Sequence, residues 1–181
     1  KNWYKNVFPW GNEQHSLIKM YARPGNLVEI NTNLVKEADI KSYYDILDPR
    51  WKGKIVMNDP TLNGSGIKAF GTLGFHILGL DFFRKLVNQE PMITRNERLQ
   101  VEWLAQGKYS IGLFIPPEQV VSFMNAGAPL GFVMPKEGTH LTNASAGLVL
   151  LNRAPHPNAA KVFINWMISR EGMLVLSNTD R

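Results

Sequence analysis

The stretch of this sequence best suited to chemistry is a short loop, Asn63-Gly64-Ser65-Gly66, set between a buried apolar strand and an apolar helical run. A helix N-terminus presents unpaired N–H groups and the positive end of the helix dipole. Glycines let a ligand approach the backbone, and Ser65 adds a hydroxyl donor. Such a place suits a phosphate, carboxylate or sulfonate. The same residues also make an ordinary Ser or Asn cap. A P-loop is excluded, because neither its glycine spacing nor its Lys-Ser/Thr pair is present. Arg95, with Asn96 beside it, opens another predicted helix, where its guanidinium either reaches an anion or stays a plain surface charge.

Signs of covalent or metal chemistry are sparse. Ser65 has glycine on each side but lies in no Gly-x-Ser-x-Gly elbow. His15, His76, His140 and His156 are isolated and lack ligand spacing. His156, between two prolines, reads as a surface turn; His76, among apolar residues, reads as a core histidine. Glu97 and Glu102 stand five apart on one predicted helix and read as cap and solvated surface. Asn143-Ala144-Ser145 matches a glycosylation sequon. The absence of cysteine excludes disulfides, thiolate metal sites and thiol catalysis.

The composition is that of an ordinary globular protein, 44% hydrophobic and 19% charged, enough to bury a core without staples. The net charge is +5, but the 20 Lys and Arg are scattered and make no nucleic-acid footprint. No apolar run reaches the ~18 residues of a membrane span. The opening Lys1-Asn2-Trp3-Tyr4 does not resemble a signal peptide.

The elements that must position the loop follow from periodicity. Strands are predicted at 27–30, 54–58, 109–115, 131–134 and 147–151. Ser42 with Asp45 forms a capping box over a turn at 43–47, ended by Asp48-Pro49. Helices are predicted after Ser65, after Asp81 (with Phe82, Phe83, Leu86 and Val87 on one face) and after Thr94 as a capping box (with Leu99, Trp103 and Leu104 on one side). Two more are predicted at 118–124 and 158–168, the last with a core face of Ala159, Val162, Phe163 and Trp166. Strands alternating with helices predict an α/β fold with a parallel or mixed sheet.

Taken in order, several motifs resemble family 1 solute-binding proteins of ABC importers, in particular the ferric-iron-type branch. They are Asn31-Thr32-Asn33-Leu34-Val35, Leu47-Asp48-Pro49-Arg50-Trp51-Lys52-Gly53-Lys54-Ile55 and Asp59-Pro60 with Gly64-Ser65-Gly66. Val101 to Lys108 follows, and then Ala154-Pro155-His156-Pro157-Asn158-Ala159-Ala160-Lys161 ahead of Phe163-Ile164-Asn165-Trp166. The resemblance implies the type II periplasmic-binding-protein fold, two α/β lobes with ligand trapped between them. It implies a lead-in and crossover strand at 1–31, a second lobe at 32–135, and a return strand and helix of the first lobe at 136–181. The rest of the first lobe is expected to lie outside this chain. The family's anion-binding loop maps onto Ser65, Gly66 and the amide of Ile67. The adjacent tyrosines that hold iron in ferric members map onto Pro117 and Glu118, so iron binding is not expected, although Glu118 offers a hard oxygen. The separate pair Tyr43-Tyr44 is not that ligand set.

The resulting expectation is a non-enzymatic, periplasmic or extracellular protein that needs no cofactor. It captures a small anionic or metal–anion solute by lobe closure and delivers it to ABC permease subunits. Asn63, Gly64, Ser65, Gly66, Ile67, Arg95 and Asn96 hold the charge, and Phe114, Pro117 and Glu118 line the cleft floor. Nucleic acid is not an expected partner. The apolar faces of 147–151 and 158–168 predict some self-association of the chain. The alternative is the effector-sensing domain of a transcriptional regulator, which would need a helix-turn-helix that is not recognisable here; for an enzyme, no nucleophile–base pair is visible.

Overall fold

The computed structural model describes residues 10–20, 23–25, 27–139, 141–142 and 147–179. His140, the Asn143-Ala144-Ser145 sequon and the opening Lys1–Tyr4 lie outside the described residues. The chain forms two units, Pro24–His140 as one continuous stretch and Lys1–Arg23 with Leu141–Arg181 as the other. In chain order the elements are β1 (Ile18–Lys19), β2 (Arg23–Pro24), β3 (Val28–Asn31), β4 (Ile55–Asn58), α1 (Ser65–Thr72), α2 (Leu80–Val87), β5 (Met92–Thr94) and α3 (Glu97–Ala105). They continue as β6 (Ile111–Leu113), α4 (Pro117–Asn125), β7 (Leu130–Val133), β8 (Leu141–Thr142), β9 (Gly147–Leu148), α5 (Pro157–Met167) and α6 (Arg170–Thr179).

The continuous unit is built on a five-stranded mixed sheet of order β5-β4-β6-β3-β7. β4 runs parallel to β5 and β6, whereas β3 pairs antiparallel with β6 and β7. Side chains alternate between the two faces of a strand, so Val28 and Ile30 enter one core and Glu29 enters the other. The first core joins Val28, Ile30, Ile55, Met57, Ile111 and Leu113 to Ala69 and Leu73 after β4, to Phe82, Phe83 and Leu86 of α2, and to Tyr43, Ile46 and Trp51. The second joins Val101 and Leu104 of α3 to Val120 of α4, with Ile115 and Leu130. Helices on both faces of a mixed sheet make this unit a three-layer α/β/α arrangement.

Local chemistry explains the connections. Ser42 Oγ accepts from the Tyr44 N–H while Asp45 accepts from the Ser42 N–H, the expected capping box, although the turn it opens at Tyr43–Leu47 is 3₁₀. Asp48 then caps a second 3₁₀ turn at Pro49–Trp51. Gly66 is a packing glycine. A Cβ there would lie 2.3 Å from the Asp59 carbonyl oxygen and 2.7 Å from its carbon, so α1 can start tight against the end of β4 only with glycine at this position.

Several expectations are corrected. α1 runs on into a π turn at Leu73–Ile77 that leaves Phe75 and His76 exposed, so His76 is not a core histidine. α2 is capped by Gly79, while Asp81 sits in its first turn and pairs with Arg84 at 2.5 Å; Val87 faces solvent. α3 starts at Glu97, not after Thr94, and buries Gln100, Val101 and Leu104 in place of Leu99 and Trp103. The edge strand β5 and the helix α6 were not anticipated.

In the second unit β1 pairs antiparallel with β9, Ile18 opposite Leu148. α5 packs on α6, where Gly172 fits against the Trp166 carbonyl. The expected core face of α5 is exposed within this unit, with Val162 at 69% and Phe163 at 54% accessible.

Candidate functional site

The three parallel strands share one direction, so the segments that leave their C-terminal ends emerge along one edge of the sheet. β4 leads to α1, β5 to α3 and β6 to α4. In open α/β sheets this edge is where ligands bind. Three helix N-termini therefore face the same side, but they differ in what they offer. In α3 the Asn96 side chain accepts from the Leu99 N–H at 3.0 Å, which satisfies that amide internally. α4 begins with Pro117, which has no N–H to give. α1 begins after Gly64 with no side-chain cap at all. The reading of Asn63 or Ser65 as a simple cap is thus not what the structure holds.

The first two connections are tied by polar contacts. Arg95 Nε donates to Asp59 Oδ2 at 3.0 Å, and Asp59 Oδ1 accepts from the Thr61 hydroxyl at 2.6 Å and the Thr61 N–H at 2.9 Å. The Thr61 hydroxyl, the Thr61 amide and Arg95 hold the Asp59 carboxyl below the usual range against the opposing cost of its desolvation. Ser65 Oγ donates to Glu97 Oε1 at 3.3 Å, bridging α1 to α3. The side chain of Arg95 remains 72% exposed. This patch carries two carboxylates, one guanidinium and two hydroxyls, so it is not uniformly positive.

The structure brings Ser65 and Glu97 together, and Arg95 with Asp59; Asn63 and Gly64 in the β4–α1 connection and Ile67 in the first turn of α1 flank them. Asn63 and Ile67 are exposed, whereas Gly66 is buried against β4, so the room left by its missing side chain is taken by the Asp59 backbone and not by a ligand. Pro117 and Glu118 lie in the first turn of α4, at the same edge by topology. Phe114 does not line a cleft floor. Its left-handed backbone, φ 66°, follows β6 and turns the ring into the core, 3% exposed and 6.2 Å from Phe83. A bulky residue in that conformation is unusual and marks a strained strand exit. Asp59, Thr61 and Glu97 were missed as site residues. For Asp59 and Thr61 the only sequence signal was polarity immediately after a buried strand, which also describes any turn, and Glu97 reads as a cap.

Among the described residues no group of three or more His, Asp or Glu is placed to hold a metal ion, and no helix is long and apolar enough to cross a membrane.

Comparison with known proteins places this geometry. An uncharacterized protein of Haemophilus influenzae is 29% identical over 150 residues, 79% of this chain and 42% of that protein. Among solved structures, a protein described as mediating two-component signal transduction is 25% identical with a TM-score of 0.72, over 90% of this chain and 54% of its own. The periplasmic binding protein AfuA of Actinobacillus pleuropneumoniae, solved with fructose 6-phosphate, is 26% identical with a TM-score of 0.64, over 87% and 50%. Iron-bound HitA of Pseudomonas aeruginosa, 19% identical over 91% and 55% with a TM-score of 0.70, shares the fold. The chain thus spans about half the length of these relatives. The bacterial extracellular solute-binding protein family, whose members bind solutes and do not catalyse reactions, matches residues 15–177, and the chain belongs to that family.

Proposed function

We propose that the protein containing this chain captures a small hydroxylated anion outside the cytoplasm and delivers it to ABC permease subunits. The observation that carries this reading is the uncapped N-terminus of α1 beside Arg95, at the strand-end edge of the sheet. The first-turn amides at Ser65, Gly66 and Ile67, which no N-cap side chain occupies, suit the charged group. Asp59 and Glu97 are acceptors, so they suit a ligand that brings hydroxyl donors and disfavour a bare inorganic anion. Asn63 and Asn96 add amides at the rim, and Glu118 with Pro117 borders it from α4. AfuA, with its sugar phosphate, makes fructose 6-phosphate the first probe. Closure of a second lobe over this edge is the proposed mechanism, and the extracytoplasmic location follows the family.

Calorimetry with fructose 6-phosphate, inorganic phosphate and fructose tests the reading on full-length protein. Binding of the sugar phosphate should exceed that of either part and weaken in Arg95→Ala and Ser65→Ala variants that melt normally. Unchanged affinity in both variants would refute the assignment.

A sensing role is the second reading, favoured by the signal-transduction protein among the similar structures. It keeps the same site and replaces the permease with a membrane receptor.

A further inference from the structure

Glu29 is the buried titratable group that the proposed site leaves unused. It occupies the middle of β3, the strand flanked by β6 and β7, and is 0% exposed. Neither carboxyl oxygen has a hydrogen-bond partner among the described residues, and the Oε1 of Gln100, fully buried on α3, lacks one as well. Gln100 is held in place by its amide, which donates to the Leu113 and Val56 carbonyls at 2.9 and 3.4 Å. Glu29 stands opposite Gly112 on β6 and Phe132 on β7. The space above Gly112 is filled by Glu29 Cβ, Leu104 Cδ2 and Ile115 Cδ1, all within 3.2 Å of where a Cβ would be. The stem of Glu29 is therefore packed against the β6–α4 connection, directly beyond the left-handed Phe114.

Among the described residues no cation is placed to neutralise a carboxylate there. Gly112, Phe132, Gln100, Leu104 and Ile115 carry no charge. The charged groups of α3 are turned outward, Arg98 being paired with Glu102 at 2.9 Å and Glu97 with Ser65; Glu118 of α4 is exposed. Tyr43 is the ionisable side chain that senses Glu29, and burial, with Glu29 and Glu137 adding to it, keeps its hydroxyl protonated. A bare buried carboxylate with no partner is far costlier than a neutral acid. Desolvation accordingly drives the Glu29 pKa well above its ordinary value, and the amides of Glu29 and Ile115, which oppose this without completing hydrogen bonds, do not reverse it.

We propose that Glu29 is a proton-loaded latch: as a neutral acid it seats the β6–α4 connection against the sheet, and losing the proton releases that connection. As a neutral acid the group gains an O–H donor that the buried orphan acceptors lack. Ionisation would place a charge beneath Ile115, and the connection yields most readily at the strained Phe114. Loosening would re-aim Pro117 and Glu118. Its effect on ligand rests on the proposed site, but the readouts below involve no ligand and test the latch separately.

The sign follows from linkage. Between the ordinary glutamate pKa and the raised folded value, the native state holds one more proton than the unfolded chain, so stability falls as pH rises. In urea titrations of the intact protein from pH 5 upward, the unfolding equilibrium constant of wild type should rise with pH relative to Glu29→Gln, by at most about tenfold per pH unit, and level off once the folded acid ionises. Amide exchange at 113–120, corrected for intrinsic rates, should lose protection with rising pH in wild type and stay level in the variant. Parallel pH dependences in the two proteins would overturn the proposal. Should Glu29→Gln fail to fold, infrared spectroscopy of wild type decides alone. A buried protonated-carboxyl band at neutral pH that fades on alkalinisation together with protection at 113–120 supports the latch. No such band, or a band that fades with protection unchanged, refutes it.

Discussion

Two glycines of one helix should respond in opposite directions to the same substitution. Gly66 and Gly71 both lie in α1, and in a helix interior replacing glycine by alanine removes backbone freedom from the unfolded chain, a gain of roughly 0.5–1 kcal/mol. At Gly71 an added Cβ meets nothing within 4 Å, so that gain should appear in full. At Gly66 the Cβ would sit 2.3 Å from the Asp59 oxygen, 2.7 Å from its carbonyl carbon and 3.1 Å from the Asn58 oxygen. Ordinary heavy-atom contact is about 3.5 Å or more, and the obstacles are backbone, which no rotamer change can move. Overpacking of this kind costs about 1–3 kcal/mol, occasionally more, leaving Gly66→Ala destabilised by up to about 2.5 kcal/mol after the helix gain. Urea denaturation followed by the fluorescence of Trp51, buried in the same unit, measures both. Because two units need not unfold together, amide exchange on β4 should confirm where the change falls. If Gly66→Ala stabilises the protein as Gly71→Ala does, the close approach of α1 to β4 is wrong. The same contact means that Ser65→Ala, not a bulky residue at Gly66, is the clean probe of ligand.

Leu104→Ala, which empties a fully buried position between α3 and α4, should cost about 2–5 kcal/mol in the same titration. The Asp59 pKa is lowered in the folded state, so the stability it contributes is present above the ordinary aspartate pKa and lost as pH falls through the lower folded value; Asp59→Asn should flatten that acid limb in melts below about pH 4. Full-length protein titrated with ferric citrate should develop no tyrosinate-to-iron colour, since Tyr43 is buried and Tyr44 donates to the Leu78 carbonyl at 3.4 Å; a coloured complex would contradict this. Light scattering of the 181-residue chain should show self-association through Val162, Phe163 and Trp166, and a strict monomer would count against it.

The α/β class, the loop at 63–66 and the helix after it were legible because a buried β-branched strand, a glycine pair and an apolar run appear in sequence order. The box at Ser42 and Asp45 was legible for the same reason, a local rule with a local cause. β5 was not, since Met92-Ile93-Thr94 is three residues long and lies at the sheet edge, too short for any period to register. Phe114 was misplaced because nothing in a run of apolar residues shows which of them takes a positive φ. Glu29 was merely one residue of the strand predicted at 27–30, and only the packing of α3 and α4 over that face reveals a buried acid. Similarly, Gly66 read as an opening for ligand until the Asp59 carbonyl was seen to fill it.

The interrupted layout of the chain has a consequence for synthesis. Ile18 pairs with Leu148, about 130 residues later, so at roughly 5–20 residues per second β1 waits on the order of ten seconds for its partner to be made. The continuous unit shortens the search, because its own ends are already joined by the pairing of Val28 with Val133. Once that unit has folded, the gap still to be closed is about 25 residues, and the closure entropy falls by roughly 1.5 kcal/mol. Folding should therefore be hierarchical, the continuous unit forming before the one made of the two flanking stretches. Defects in β3 or β7 should then appear first as a failure of β1 to find β9.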